Sequence, residues 1–263
     1  MNLKSIFGYF SRRARKFFID FQNSLPVKRY DERDLLRALT VAKIHDKTFS
    51  EYKNKFCGRD VVILATGPSL NDYKPLEGVV NIGVNKSFLY DKVTLDFLFM
   101  QDWGVKAYID KLDDEKYSNV VKFFGTAPEA YFDCKTRKIK DCIIPESVAL
   151  KFGARRYFQY STFSMSSLKF SKDIDCNYLE CGGSVALAAV QFALFTNPRK
   201  IYLVGCDCTN GYFYEKPEKH KKNRVYAESW AKLKEFAEIY YPDTRIISVN
   251  PRGLSGLFED FDQ

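Results

Sequence analysis

The chain has no C-x-x-C pair, only two histidines, and no apolar run near the roughly 20 residues needed to cross a bilayer. Its seven cysteines, at 57, 134, 142, 176, 181, 206 and 208, are odd in number and scattered. With no paired histidine ligands near them, they argue against a structural zinc site and a disulfide framework, and a reducing cytosolic setting fits. Small buried hydrophobes are the expected role of Cys181 and Cys206. No internal repeat or low-complexity tract is evident, which excludes a solenoid. One D-x-D triplet, Asp173-Ile174-Asp175, has the spacing of a metal-binding motif, but it follows a Ser- and Lys-rich segment and reads as coincidence.

What the chain does have is enough apolar residue, 46% of the total with 16% aromatic, to bury a full core. Strand-like and helix-like segments alternate from 57 to 250. That pattern predicts an α/β fold, a Rossmann-like, doubly wound and mostly parallel sheet. The expected organisation is an amphipathic helix over 1–29, a helical linker over 30–56 and a catalytic domain over 57–263. An insertion at about 151–178, rich in aromatics, hydroxyls and arginine, reads as a lid or acceptor platform, or as a packed irregular loop.

Charge is distributed unevenly. Residues 1–29 hold seven Lys/Arg against one acid, Asp20, and so carry six of the chain's eight net positive charges. Leu3, Ile6, Phe7, Phe10, Ala14, Phe17, Phe18 and Phe21 recur at helical spacing on one face, with the basic residues around the rest. A helix lying on an anionic membrane surface is the expectation, with docking on the protein itself or on a partner as the alternative. The interior arginines argue against a secretory signal, so the expected location is cytoplasmic, at the inner face of the cytoplasmic membrane. The rest of the chain is nearly neutral, so no nucleic-acid-binding surface is expected. A homo-oligomer is left open.

Five segments carry the chemistry. Val61-Val62-Ile63-Leu64 reads as a strand covered on both faces that runs into Ala65-Thr66-Gly67-Pro68-Ser69-Leu70. Gly67 can adopt a φ closed to other residues, Pro68 stiffens the exit, and Ser69 can cap a following helix. The turn is either a phosphate cradle of backbone N–H groups plus a hydroxyl or an ordinary strand-to-loop connection. A second strand ends in Asn85 and a third in Gln101-Asp102-Trp103, so polar groups recur where open parallel sheets bind ligands. Glu180-Cys181-Gly182-Gly183-Ser184 opens an apolar helix whose first N–H groups favour an anion, unless the glycines serve close packing alone. Ile201-Tyr202-Leu203-Val204-Gly205 then delivers Cys206-Asp207 to the same edge.

This ordered set of motifs resembles glycosyltransferase family 42, the small bacterial sialyltransferases, and the related superfamily that includes 6-hydroxymethylpterin diphosphokinase-like proteins. The shared pattern is Gly67-Pro68-Ser69-Leu70, Asn85, Gly182-Gly183 and Ile201-Tyr202-Leu203-Val204-Gly205-Cys206-Asp207, over roughly residues 57–255. The resemblance implies a CMP-linked sugar donor, no metal or other cofactor, inversion at the anomeric carbon and a glycan acceptor. It implies that Thr66, Gly67, Pro68, Ser69 and Asn85 hold phosphate and ribose and that Gln101 or Asp102 lies near the sugar or base. Gly182, Gly183, Ser184 and Asp207 complete the nucleotide site. Two departures stand out. Where the family has two phosphate-binding tyrosines, this chain has Thr209 near the first and Tyr212 or Tyr214 near the second; where it has an arginine before the small-Gly turn, this chain has Tyr178-Leu179.

A histidine titrates near neutrality and suits a general base. His220 lies between the Asp207 strand and the last long helix, the interval of the family's catalytic histidine, although four neighbouring lysines also fit a solvated loop. His45 sits in a polar run and reads as surface. The expected activity is therefore a metal-independent, inverting glycosyltransferase that builds a surface glycan. A pterin-type diphosphokinase and a non-catalytic glycan-assembly scaffold remain as alternatives.

Overall fold

The computed structural model describes residues 48–101, 106–126, 131–133, 138–140, 144–160, 168–175, 177–209, 211–215 and 224–263. The N-terminal helix, His45, Asp102 and His220 lie outside the described residues. The first strand, β1 (Asp60–Leu64), is aliphatic from its second residue on, because both its faces are covered. β2 (Val80–Val84), β3 (Phe97–Met100) and β4 (Val121–Thr126) add beside it in turn, followed by β7 (Arg155–Tyr160) and β8 (Leu179–Glu180). The chain then returns to the far side of β1 with β9 (Lys200–Val204), β10 (Arg245–Val249) and β11 (Glu259–Phe261). Between β4 and β7, β5 (Tyr131–Asp133) and β6 (Lys138–Lys140) pair only with each other, antiparallel. Every pairing described in the large sheet is parallel. This is the doubly wound α/β architecture expected.

Helices occupy both faces. α1 (Lys106–Ile109) and α2 (Glu146–Lys151) are short, whereas α3 (Val185–Phe195) and α4 (Arg224–Tyr240) are long. All eleven residues of α3 are buried, ten of them apolar and the eleventh, Gln191, hydrogen-bonded to the Glu180 backbone, and the helix fills one face against Val61, Ile63, Ile82, Phe97 and Phe99. α4 adds Trp230 and Leu233 to that layer. The opposite face, with Val62, Leu64, Leu98 and Phe124, is covered by short 3₁₀ segments and turns carrying Leu70, Phe88 and Leu112.

Two expected boundaries move. Phe49, Tyr52 and Phe56 lie inside the core, with the Phe49 ring 5.2 Å from Phe123 and 5.7 Å from Phe192, so residues 48–56 belong to the domain and not to a linker. The first part of the expected insertion is also sheet. Arg155–Tyr160 pairs with β4 on one side and β8 on the other, because Tyr157, Phe158 and Gln159 bury almost completely.

Candidate active site

The order of the strands reverses between β1 and β9, and ligands of open α/β sheets collect at the carboxyl ends beside such a reversal. There the two strand ends interlock. The Ala65 N–H donates to Val204 O at 2.8 Å and the Gly67 N–H to Gly205 O at 2.8 Å. A Cβ on Gly67 would lie 2.5 Å from Gly205 O and 2.6 Å from Asp207 Oδ2. Glycine is required here for close approach. Its φ of −68° is open to any residue, which corrects the expectation of an unusual turn conformation.

The anion in the glycine turn is the protein's own. The Ser69 N–H donates to Asp207 Oδ2 at 2.8 Å, and the Ser69 hydroxyl donates to Asp207 Oδ1. Ser69 and Asp207 are both almost wholly buried. Pro68 has no N–H to offer, and the Leu70 N–H returns to Gly67 O at 3.1 Å. Each donor of Gly67-Pro68-Ser69-Leu70 is therefore engaged within the protein. The cradle predicted for phosphate is filled by a carboxylate, and Ser69 sits inside a 3₁₀ turn (Pro68–Asp72) instead of capping a helix. Arg252 reinforces the arrangement, with Nε 3.9 Å from Asp207 Oδ2 and Nη2 3.2 Å from Asp72 Oδ2.

The next strand ends keep polar groups for other use. Asn85 has φ +46°, a left-handed conformation that asparagine tolerates better than most residues. Its Oδ1 accepts the Gln101 N–H at 3.2 Å, which ties the end of β2 to the end of β3 and leaves the Asn85 amide group as the donor end. Gln101 Oε1 is buried and has no hydrogen-bond partner.

Gly182 and Gly183 both have positive φ, +47° and +85°, so the paired glycines serve a turn that other residues enter only with strain. The fully buried Glu180 carboxylate accepts the Gly182 N–H at 3.0 Å, and the Ser184 N–H donates to Cys181 O at 2.6 Å. Ser184 is the N-cap of α3 without a side-chain cap. α3 follows β8 and precedes β9, so it runs against the strands and starts at their carboxyl edge. Burial pushes the thiols of Cys181 and Cys206 well above their usual range, which suits packing and not nucleophilic chemistry.

A strap of residues 211–215 crosses the end of β1. The Phe213 N–H donates to Thr66 O at 3.0 Å, and Asn71 Nδ2 donates to Phe213 O at 2.9 Å. The Tyr212 and Tyr214 rings stack 5.2 Å apart and within 6° of parallel. Lys86, next to Asn85, places its ammonium 4.8 Å from the Tyr214 ring and 4.4 Å from Tyr108. Both tyrosines thus stand at the mouth of the same edge.

Neither a protein-family model nor a curated protein matches the chain. Among solved structures it is similar to the sialyltransferase CstII from Campylobacter jejuni in complex with a substrate analogue, CMP-3FNeuAc, at 16% identity and a TM-score of 0.48, over 76% of this chain and 85% of that one. It is similar to the MAf glycosyltransferase from Magnetospirillum magneticum AMB-1 at 15% identity and a TM-score of 0.48, over 85% of this chain but only 38% of that one. A CstII complex with cytidine-5'-monophosphate gives 17% identity and a TM-score of 0.41, over 72% and 79% of the two chains.

The D-x-D triplet lies elsewhere. Asp175 neighbours Lys53 and the Phe49 backbone, and the Tyr241 hydroxyl donates to Lys172 O at 3.3 Å. Lys53 leads into the start of β1 and Tyr241 into the start of β10, so the triplet sits at the amino edge of the sheet. Among the described residues no group of three His, Cys, Asp or Glu is arranged to hold a metal. Two residues at the site escaped sequence reasoning, Glu180 and Arg252. The available signals were a carboxylate two residues before a Gly-Gly pair, and an arginine three residues past the strand that ends in Val249.

Proposed function

We propose that the protein is a glycosyltransferase that takes a CMP-linked sugar, a sialic acid or similar, and passes it with inversion to a glycan acceptor without a metal. The observation that carries this reading is the pair of polar side chains on adjacent strand ends to one side of the reversal point, Asn85 and Gln101, with Gln101 Oε1 buried and unpaired. Its motif order is also the one that resembles the bacterial sialyltransferases.

In this reading the acceptor hydroxyl attacks the anomeric carbon from the face opposite the phosphate, the bond to the phosphate oxygen breaks, and His220 takes the hydroxyl proton. Charge growing on the leaving phosphate is met by neutral donors fixed in advance, the Asn85 amide and the first N–H groups of α3. The glycine turn, occupied by Asp207, acts as the rigid floor of the site. Residues 1–29 would hold the enzyme at an anionic membrane surface, beside its glycan acceptors.

The test is thermal unfolding with cytidine, uridine, guanosine and adenosine nucleotides, run once in a chelating buffer and once with magnesium in place of the chelator. Ligand that binds only the folded state raises the melting temperature. CMP should raise it without added metal. A shift confined to adenosine triphosphate with magnesium would replace this reading with a diphosphokinase.

A further inference from the structure

Two described cations stand just past strand ends at the carboxyl edge of the sheet, and they differ in what they touch. Arg252, after β10, is committed to the protein's own carboxylates, with Nη2 3.2 Å from Asp72 Oδ2 and Nε 3.9 Å from Asp207 Oδ2. Lys86, after β2, is half-buried, and among the described residues its ammonium makes no ion pair and no hydrogen bond.

What holds Lys86 is a pair of aromatic rings. Its ammonium lies 4.4 Å from the Tyr108 ring and 4.8 Å from the Tyr214 ring, and among the described residues it is the only cation placed over two rings. The rings come from different parts of the fold. Tyr108 belongs to α1, which follows β3, and Tyr214 to the strap that follows β9 and is tied to the end of β1 by the Phe213 N–H on Thr66 O. The strap's carboxylate, Glu215, accepts the Tyr212 N–H at 3.1 Å and does not pair with Lys86. Lys111 adds a second ammonium, 5.7 Å from the Tyr108 ring. A ring face attracts a cation and fixes where it sits. It does not cancel the charge, and the three N–H donors of the ammonium are left for another acceptor.

We infer that Lys86 recognises an anion at this edge, a phosphate or carboxylate oxygen of the substrate, and that Tyr108 and Tyr214 position its ammonium for it. The inference rests on the nucleotide-sugar reading above and goes beyond it. In that reading the phosphate meets only neutral donors, the Asn85 amide and the first N–H groups of α3. An anion taken out of bulk water is held better where a positive charge answers it, and a charge-assisted hydrogen bond is stronger than a neutral one. Lys86, next to Asn85 in the chain, supplies that charge, whereas Arg252 is already spent on Asp72 and Asp207.

Calorimetric titrations of the full-length protein with cytidine, CMP and CMP-N-acetylneuraminate test this, because the first carries no anion, the second a phosphate, and the third a phosphate and a carboxylate. Lys86→Met keeps an apolar stem against both rings and removes the charge, so urea unfolding should give it the wild-type midpoint and cytidine should bind it as before. If the ammonium meets the phosphate, CMP and the intact donor both weaken by about 10-fold; if it meets the carboxylate, only the intact donor weakens by that factor. Either result supports the inference. Lys86→Arg keeps the charge and should bind the weakened probe more tightly than Lys86→Met does. Equal loss of cytidine and CMP in Lys86→Met, with or without a lower midpoint, would make the lysine a clamp on the strap and overturn the inference. If the wild type binds all three probes and Lys86→Met matches it, the inference alone fails. If the wild type binds none of them, the donor reading fails and takes this inference with it.

Discussion

Asp207 and Ser69 are 138 residues apart in sequence yet satisfy each other at the end of β1. Each was legible as a site residue, the serine from its glycine turn and the aspartate from the strand before it. That they bind each other was not, because it depends on β9 returning to lie beside β1, a long-range pairing that no local pattern encodes. Removing the charge while keeping the shape tests their role. Asp207→Asn should cost about 2 kcal/mol, since charge-assisted hydrogen bonds to a buried carboxylate are stronger than neutral ones. Urea unfolding should show this as a lower midpoint at unchanged slope. Full stability combined with lost CMP binding would instead make Asp207 a direct ligand contact.

Among the elements, those with one strong signal were readable. β1, β3 and β9 are short, mostly apolar runs, β2 alternates Val, Ile and Val with Asn81 and Gly83, all four stop at, or one residue before, polar or glycine residues, and α3 is apolar but for Gln191, so each appears in sequence almost at its observed bounds. β7 was not, since Arg155-Arg156-Tyr157-Phe158-Gln159-Tyr160 mixes charge with aromatic residues and lacks the aliphatic run of a central strand. The segment before β1 did carry a signal, because Phe49, Tyr52 and Phe56 are spaced by three and four residues and all turn inward. The Gly182-Gly183 turn is where an element meets the candidate site. A Cβ on Gly182 would lie 2.8 Å from Leu187 Cδ1 and 2.9 Å from Ser229 Oγ, at a φ that alanine disfavours. Gly182→Ala should therefore cost about 1–3 kcal/mol through overpacking and backbone strain, seen in thermal or urea unfolding. A neutral outcome would mean that the start of α3 is looser than its packing indicates.

At the scale of the whole molecule, the alternation of strands and helices predicts a doubly wound sheet, but the reversal between β1 and β9 is visible only in three dimensions. That reversal gathers the widely separated motifs onto one edge and leaves the D-x-D triplet on the other. It also explains why the glycine turn, read alone, pointed to phosphate while the folded chain fills it with its own carboxylate. The most direct measurement is release of CMP from CMP-N-acetylneuraminate by the full-length protein, with and without a glycan acceptor, in a chelating buffer. A metal-independent transferase gives release that rises with acceptor and falls about 10²- to 10⁴-fold in His220→Ala, the usual contribution of a general base. No release from this donor by the wild-type protein, or release unchanged in His220→Ala, would contradict it.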